Sequence, residues 1–207
     1  MKNRFFDTKE GIKEKSKKET SPLFRSKYLL AHFQKLEKLE EDLLRLPTKE
    51  EFFFLQSEAQ FNAFTFIPAI TKLHSIKHLY ATTYSISRRT IDAIMELYDK
   101  GMIEQVTLSI SDSLIKRNPK TIDLLTSMVS SRANIKVLFT WSHAKVAMLE
   151  TKDNYFVIEG SGNWSENAHY EQYVFANSKG LFDFRKELFD NVNVRYIADT
   201  KGLRTVK

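Results

Sequence analysis

After residue 50 the chain alternates between short apolar runs typical of β-strands and longer segments with helical spacing of their apolar residues. The helix-like segments lie near residues 61–73, 88–99, 120–132 and 181–191, and Ser87 is the expected cap of the second. The strand-like runs lie at residues 51–56, 76–82, 105–110, 135–140, 143–150, 155–160, 170–176 and 192–197. Strands separated by helices need crossover connections. The alternation therefore predicts an α/β fold whose mixed, largely parallel sheet is flanked by helices on both faces.

The N-terminal region differs from the rest. Residues 1–27 contain nine Lys or Arg and four acidic residues, and their weak periodicity predicts a mobile basic arm. This arm is either a solubilising tail or a contact for nucleic acid. Residues 27–46 predict an amphipathic helix whose apolar stripe either joins the core or forms a dimer contact; its members are Leu29, Phe33, Leu36, Leu39 and Leu43. We expect residues 28–207 to form one domain.

Composition narrows the classes of site. The chain of 207 residues contains no cysteine, which excludes disulfides and thiolate metal sites and fits a reducing compartment. No apolar stretch approaches the ~18 residues of a membrane span, and the N-terminus lacks the apolar region of a secretory signal. We therefore expect a cytoplasmic protein without a membrane span.

Chemistry-bearing side chains concentrate in residues 142–172. His143 and Lys145 lie two residues apart, as do Ser161 and Asn163, so each pair projects to one face of an extended chain. A turn at residues 152–154 predicts a β-hairpin that brings the pairs together. Such a set suits a phosphate: a lysine cation, hydroxyl and amide donors, and a histidine as nucleophile or proton carrier. The glycines at 160 and 162 let backbone N–H groups approach a ligand.

This stretch resembles the HKD motif of the phospholipase D superfamily, written HxKxxxxD followed by GSxN. The matching residues are His143, Lys145, Gly160, Ser161 and Asn163. Glu150 occupies the Asp position of the pattern, and the spacer to Gly160 is longer than in the family pattern. Glu171 resembles the acidic residue that follows the motif and hydrogen-bonds the histidine. The resemblance implies a phospholipase D-like domain that needs neither a metal nor another cofactor.

The resemblance also implies an assembly. Family enzymes use two motifs per active site: one histidine attacks phosphorus, and the other protonates the leaving oxygen. This chain has one HxK, because His32, His74, His78 and His169 are not followed by lysine two residues later. The expected active form is therefore a homodimer with both His143 residues at one phosphodiester. Lys145 and Asn163 would stabilise the charge on the phosphoryl oxygens, and Glu171 would orient the imidazole.

The charge of the chain points to the substrate. A net charge of +6 favours a polyanion such as nucleic acid. Together with the resemblance, which implies a phosphodiesterase acting through a phosphohistidine, it makes a nuclease the expected activity. Candidate substrate contacts outside the motif are Arg88 and Arg89 on the first turn of a helix, for which ordinary solvated arginines are the alternative. Trp164 either stacks on a base or packs in the wall of the site. Two alternatives stay open: a non-catalytic nucleic-acid-binding protein of the same fold, and a phospholipid phosphodiesterase.

Overall fold

A computed structural model describes residues 30–36, 39–57, 62–165 and 170–206. The predicted arm, residues 1–27, lies outside the described residues. The strands are β1 (Leu30–Leu36), β2 (Glu51–Ser57), β3 (Ile76–Thr83), β4 (Ile103–Ser111), β5 (Ile135–Thr140), β6 (Val146–Glu150), β7 (Tyr155–Gly160), β8 (Gln172–Asn177), β9 (Val194–Asp199) and β10 (Gly202–Thr205). The helices are α1 (Leu39–Asp42), α2 (Phe66–Thr71), α3 (Arg88–Asp99), α4 (Ser113–Arg117), α5 (Pro119–Ser130) and α6 (Lys179–Asp190), with a 3₁₀ turn at Ala63–Thr65.

The strands form one sheet in the order β1-β2-β8-β7-β6-β3-β4-β5-β9-β10. Among the described strands, only β1–β2, β3–β4 and β4–β5 pair in parallel. The other six neighbouring pairs are antiparallel. The prediction of a largely parallel sheet is therefore wrong. Long-range pairing is the main reason. The predicted hairpin of β6 and β7 accounts for one antiparallel pair, but β2–β8, β3–β6 and β5–β9 join strands that are distant in the chain and also run antiparallel.

The N-terminal part of the domain also differs from its prediction. Residues 30–36 form β1, a strand that pairs in parallel with the whole of β2, and only the four residues of α1 are helical in the predicted helix of residues 27–46. Helix propensity is a weak preference that tertiary pairing overrides. Here the pairing offered by the open edge of β2 outweighs the helical spacing of the leucines.

Helices cover both faces of the sheet, as predicted, but unequally. The larger cluster packs α2, α3 and α5 on one face, through residues such as Ile67, Ile91 and Leu125. On the opposite face, α6 packs Phe182 and Phe189 against Val146, Met148 and Val157.

The predicted cap of α3 is confirmed: α3 begins after Ser87, whose hydroxyl accepts from Thr90 N at 3.2 Å.

Topology gathers the motif at one edge of the sheet. The parallel strands β3, β4 and β5 all end at this edge. Because β6 is antiparallel to β3, it begins there, and β7 ends there before β8 begins. The segments before β6, after β7 and before β8 therefore meet beside the carboxyl ends of three parallel strands, where ligands bind in open α/β sheets.

Candidate active site

His143 and Lys145 lie in the irregular segment between β5 and β6. The strand begins at Val146, three residues later than predicted. The two side chains are nevertheless in contact, with Lys145 Nζ 3.1 Å from His143 Nδ1 and 3.1 Å from the His143 carbonyl oxygen. The His143 ring is exposed. Because Nδ1 faces the lysine, Nε2 is the ring nitrogen on the side away from Lys145.

The surroundings of Lys145 change the pKa of its ammonium group. Lys145 is partly buried, and this burial lowers its pKa, while the charges of Glu171 and Tyr84 oppose the shift. The ring of Tyr84 lies 4.6 Å from the His143 ring, centroid to centroid, at an angle of 47°. A partly desolvated cation beside an exposed imidazole is suited to binding an anion, since removal from water strengthens the attraction between charges.

Gly160 connects the two halves of the motif. Its N–H donates to the Lys145 carbonyl at 3.3 Å. A Cβ atom at this position would lie 2.0 Å from the Gln172 carbonyl oxygen and 2.8 Å from the Tyr173 ring. Only a residue without a side chain allows β7 and β8 to approach this closely. The first glycine of GSxN is therefore required here for backbone packing.

Ser161 links the motif to the following strand. Its hydroxyl donates to the Glu171 carboxylate and accepts from Gln172 N at 3.1 Å, and Ser161 N donates to Gln172 O at 3.1 Å. Glu171 is itself anchored to β2, where its N–H donates to Ser57 Oγ at 2.8 Å. The structure thus places the Glu171 carboxylate at the hydroxyl of Ser161. Orientation of His143 by Glu171 stays a prediction.

Trp164 belongs to the core. Its side chain is 1% exposed and packs edge-on against Phe64, with ring centroids 5.4 Å apart. A buried indole offers no face to a base, so the predicted stacking role of Trp164 is wrong for this conformation. Its backbone instead ties the GSxN loop to the segment before α3: Trp164 N donates to Ser85 O at 3.1 Å, and Ser87 N donates to Trp164 O at 2.9 Å.

The remaining predicted contacts lie around this loop. Gly162 is buried and Asn163 partly buried, with the Asn163 carbonyl accepting from Ala63 N at 3.4 Å. Arg88 and Arg89 are exposed on the first turn of α3, which the Trp164 contacts hold near the GSxN loop. The Arg88 guanidinium lies 3.6 Å from the Asp92 carboxylate. The structure gives no contact between either arginine and His143.

Glu150 lies far from the site. It ends β6, five residues after Lys145, and a strand rises about 3.3 Å per residue. Its carboxylate therefore lies at the other end of the strand, roughly 16 Å along it. Glu150 is therefore not among the side chains around His143.

The other described histidine side chains lie elsewhere. His74 packs against Phe156, with ring centroids 5.7 Å apart. His78 stacks on Tyr80 at 3.7 Å and its Nε2 is 2.9 Å from Thr107 Oγ1. The structure does not describe the side chain of His32, and His169 lies outside the described residues. Within the described part of the chain, one histidine thus belongs to the site.

A groove of about 940 Å³ opens beside the site, between α6 and the sheet face formed by β2, β8, β7 and β6. Lys145 and Gly160 line its border with the motif. The ion pair of Arg185 with Glu159, 2.6 Å between Nε and Oε2, lies along its wall. Among the described residues, no three His, Asp or Glu side chains are grouped to hold a metal ion. In the same residues, no helix has both the length and the apolar character of a membrane span.

Sequence reasoning missed several exposed side chains beside His143. Trp141 is 80% exposed, and the Arg195 guanidinium carbon lies 5.0 Å from its ring centroid. The Arg117 guanidinium carbon lies 4.3 Å above the ring of Tyr84. The available signal was the place of Trp141, which immediately follows a predicted parallel strand and precedes HxK by two residues.

Comparisons with known proteins show the fold of the chain. No family model and no curated protein match it. Among solved structures it is similar to polyphosphate kinase from Porphyromonas gingivalis, with 11% identity and a TM-score of 0.53 over 68% of this chain and 26% of that one. The likeness supports an α/β fold shared with part of that structure.

Two further structures are more distant. Phosphatidylserine synthase from Haemophilus influenzae has 14% identity and a TM-score of 0.44, over 69% of this chain and 36% of that one. TrmBL2, an archaeal chromatin protein, has 14% identity and a TM-score of 0.40, over 64% of this chain and 50% of that one. The chain thus spans between about a quarter and a half of the length of the structures it matches.

Proposed function

We propose that this protein is a phosphodiesterase of the phospholipase D-like type, acting as a nuclease through a phosphohistidine intermediate. The observation that carries the proposal is the contact between Lys145 Nζ and Nδ1 of the exposed His143 ring, 3.1 Å apart. The contact lies at the strand edge where the GSxN loop also ends. A cation and a nucleophile within one hydrogen bond of each other can bind a phosphate and attack it.

The first step forms the bond between His143 Nε2 and phosphorus and breaks the bond from phosphorus to the leaving oxygen. Phosphate binding draws Lys145 from Nδ1 to a non-bridging oxygen, so that Nδ1 can hold the ring proton while Nε2 attacks. A second, protonated histidine gives its proton to the leaving oxygen. In the second step this histidine takes a proton from water, the hydroxide attacks phosphorus, and the phosphorus–nitrogen bond breaks. Lys145 and Asn163 stabilise the oxygens throughout.

A homodimer supplies the second histidine. One His143 per chain provides one imidazole, while the two steps need a nucleophile and an acid. In a two-fold dimer each His143 faces the same phosphodiester. The two steps require one neutral ring and one protonated ring in the same site.

Nucleic acid is the proposed substrate because the chain is basic. The net charge is +6, and the proposed contacts Arg88 and Arg89 are exposed near the loop. Non-catalytic binding of nucleic acid and cleavage of phospholipid are the competing functions. The exposed nucleophile favours catalysis over binding alone, because a binder has no need of a histidine held beside a lysine.

The test of function is cleavage without metal. Purified protein is incubated in EDTA with single- and double-stranded DNA and RNA, and separately with phospholipid vesicles. We expect cleavage of nucleic acid by the wild type and none by His143→Ala. The matched control is His74→Ala, which removes the histidine that packs on Phe156 and should keep the activity. Equal cleavage by His143→Ala and wild type would contradict the proposal, and cleavage of vesicles alone would assign the lipid substrate.

The test of the shared site is subunit mixing. Wild type and His143→Ala are mixed in equal amounts, unfolded and refolded so that dimers form at random. If each site needs both His143 residues, only wild-type pairs are active. Activity then falls to about one quarter of that of an equal total amount of protein that is all wild type. Independent sites in each chain would give about one half. A strict monomer at micromolar concentration in light scattering would also exclude the shared site.

A further inference from the structure

Two aromatic–arginine pairs lie at the strand edge that carries His143. In one, Arg117 lies over the ring of Tyr84, which in turn contacts the His143 ring. In the other, Arg195 lies against Trp141. We name these four residues the aromatic–arginine strip. The segment from Trp141 to His143 spans two residues, which limits the distance between their Cα atoms to about 7 Å.

Hydrogen bonds hold the aromatic–arginine strip in place. The Thr140 carbonyl accepts from Asp112 N at 2.9 Å and from Ser142 N at 3.0 Å, which fixes the backbone on either side of Trp141. Arg195 Nη1 lies 2.6 Å from Asp112 Oδ2. In the other pair, Arg117 Nη2 donates to the Tyr84 carbonyl at 3.3 Å. Both arginines are thus positioned by hydrogen bonds as well as by the rings.

Packing among the described residues does not explain Trp141. Its ring is 80% exposed even with Arg195 against it, whereas the second tryptophan of the chain, Trp164, is 1% exposed. A single exposed apolar residue is ordinary. Two aromatic rings paired with arginines at the same strand edge as an exposed nucleophile form a more specific arrangement. It combines rings that can stack with cations that can meet phosphates.

We propose that the aromatic–arginine strip binds single-stranded nucleic acid, with Trp141 stacked on an unpaired base next to the phosphodiester at His143. Stacking on aromatic side chains and cations along the backbone is how proteins hold single strands with little sequence preference. A duplex does not fit this mode because its bases already stack on each other. Arg117 contacts the backbone, while Arg195, whose charge Asp112 offsets, orients the indole. The proposal rests on the proposed function for the place of the scissile bond.

The test measures binding in protein that cannot cleave. In the His143→Ala background, affinity is measured for an oligothymidylate of about 12 nucleotides, for an abasic strand of the same length and for a duplex. We expect Trp141→Ala to weaken oligothymidylate binding about 5- to 150-fold, the effect of one lost stack. Binding of the abasic strand should not change, because it keeps the phosphates and lacks the bases. Phe184→Ala, which removes an aromatic ring that is 57% exposed on α6, is the matched control.

Fluorescence gives an independent readout. Oligothymidylate should quench the emission of exposed Trp141 and leave that of buried Trp164, so the quenching should vanish in Trp141→Ala. Unchanged affinity in Trp141→Ala, or an equal loss for the abasic strand, would overturn the proposal. A Trp141→Ala protein that changes from dimer to monomer would overturn it too, because a second copy would then cover the ring. Because binding is measured without cleavage, this experiment can be interpreted even if the nuclease proposal fails.

Discussion

Gly160→Ala tests whether close strand packing builds the GSxN loop. The added Cβ would lie 2.0 Å from the Gln172 carbonyl oxygen, whereas such contacts are essentially never shorter than 3.0 Å. The ends of β7 and β8 must therefore separate by about 1 Å at this point. Added to the 3.1 Å bonds between Ser161 and Gln172, this displacement takes both beyond hydrogen-bonding distance.

The magnitude follows from these losses. Two hydrogen bonds contribute about 0.5–1.5 kcal/mol each, and overpacking adds about 1–3 kcal/mol. The lower backbone entropy of unfolded alanine offsets about 0.5–1 kcal/mol. We expect the free energy of unfolding to fall by about 1–5.5 kcal/mol. Cleavage should also fall at temperatures where the variant stays folded, because Ser161 follows the displaced residue.

The assay is urea unfolding followed by circular dichroism, with Gly180→Ala as the matched control. Gly180 lies in α6, and a Cβ there would have its nearest contact at 4.0 Å. Alanine in a helix is favoured over glycine, so this control should gain up to about 1 kcal/mol. The two substitutions should therefore change stability in opposite directions. Unfolding of Gly160→Ala at the wild-type urea concentration would refute the packing argument.

Three further predictions concern charge. Burial, and to a lesser extent the charge of Lys186, lowers the pKa of His78 from 6.5 to about 4. Between these pH values the unfolded chain binds a proton at His78 and the folded protein does not. Stability therefore falls as the pH falls from 6.5 to about 4. His78→Gln should lose about 1–2 kcal/mol less stability than the wild type between pH 7 and pH 4.5, a figure discounted for the partial exposure of His78. Equal losses in the two proteins, measured by urea unfolding at both pH values, would contradict this prediction. Deletion of residues 1–27 should reduce the slope of log K against log salt by about 0.7–0.9 per lost phosphate contact; an unchanged slope would show that the arm makes none. Lys145→Ala and Asn163→Ala should each lower the cleavage rate roughly 10²–10³-fold while unfolding midpoints stay close to wild type; wild-type rates in both would remove these side chains from the mechanism.

Much of the fold could be predicted because local patterns set it. β5 and β7 have the predicted bounds, and Ser87 caps α3 as predicted. Strand direction could not be predicted as reliably, since it depends on connections whose length and path are tertiary features. The same holds for residues 30–36, where pairing with β2 decides between helix and strand.

The candidate site, too, could be predicted from the sequence only in part. Spacing in the sequence was enough to bring His143, Lys145 and Ser161 to one edge, because the hairpin that joins them is local. It did not identify Trp141 as the exposed tryptophan. Trp164 adjoins the motif yet is buried against Phe64, while Trp141 is exposed. Burial depends on which helix covers a loop, and neither residue type nor distance along the chain contains that information.

Trapping of the covalent intermediate tests the central claim, the nucleophilic role of His143, most directly. A single-stranded oligonucleotide with radioactive phosphorus at the cleaved position is mixed with enzyme, and turnover is quenched with alkali. We predict a base-stable, acid-labile phosphorus adduct that peptide mapping places on His143, at no more than one per dimer because the partner's ring serves as the acid. Turnover without an adduct, or an adduct on another residue, would contradict the claim.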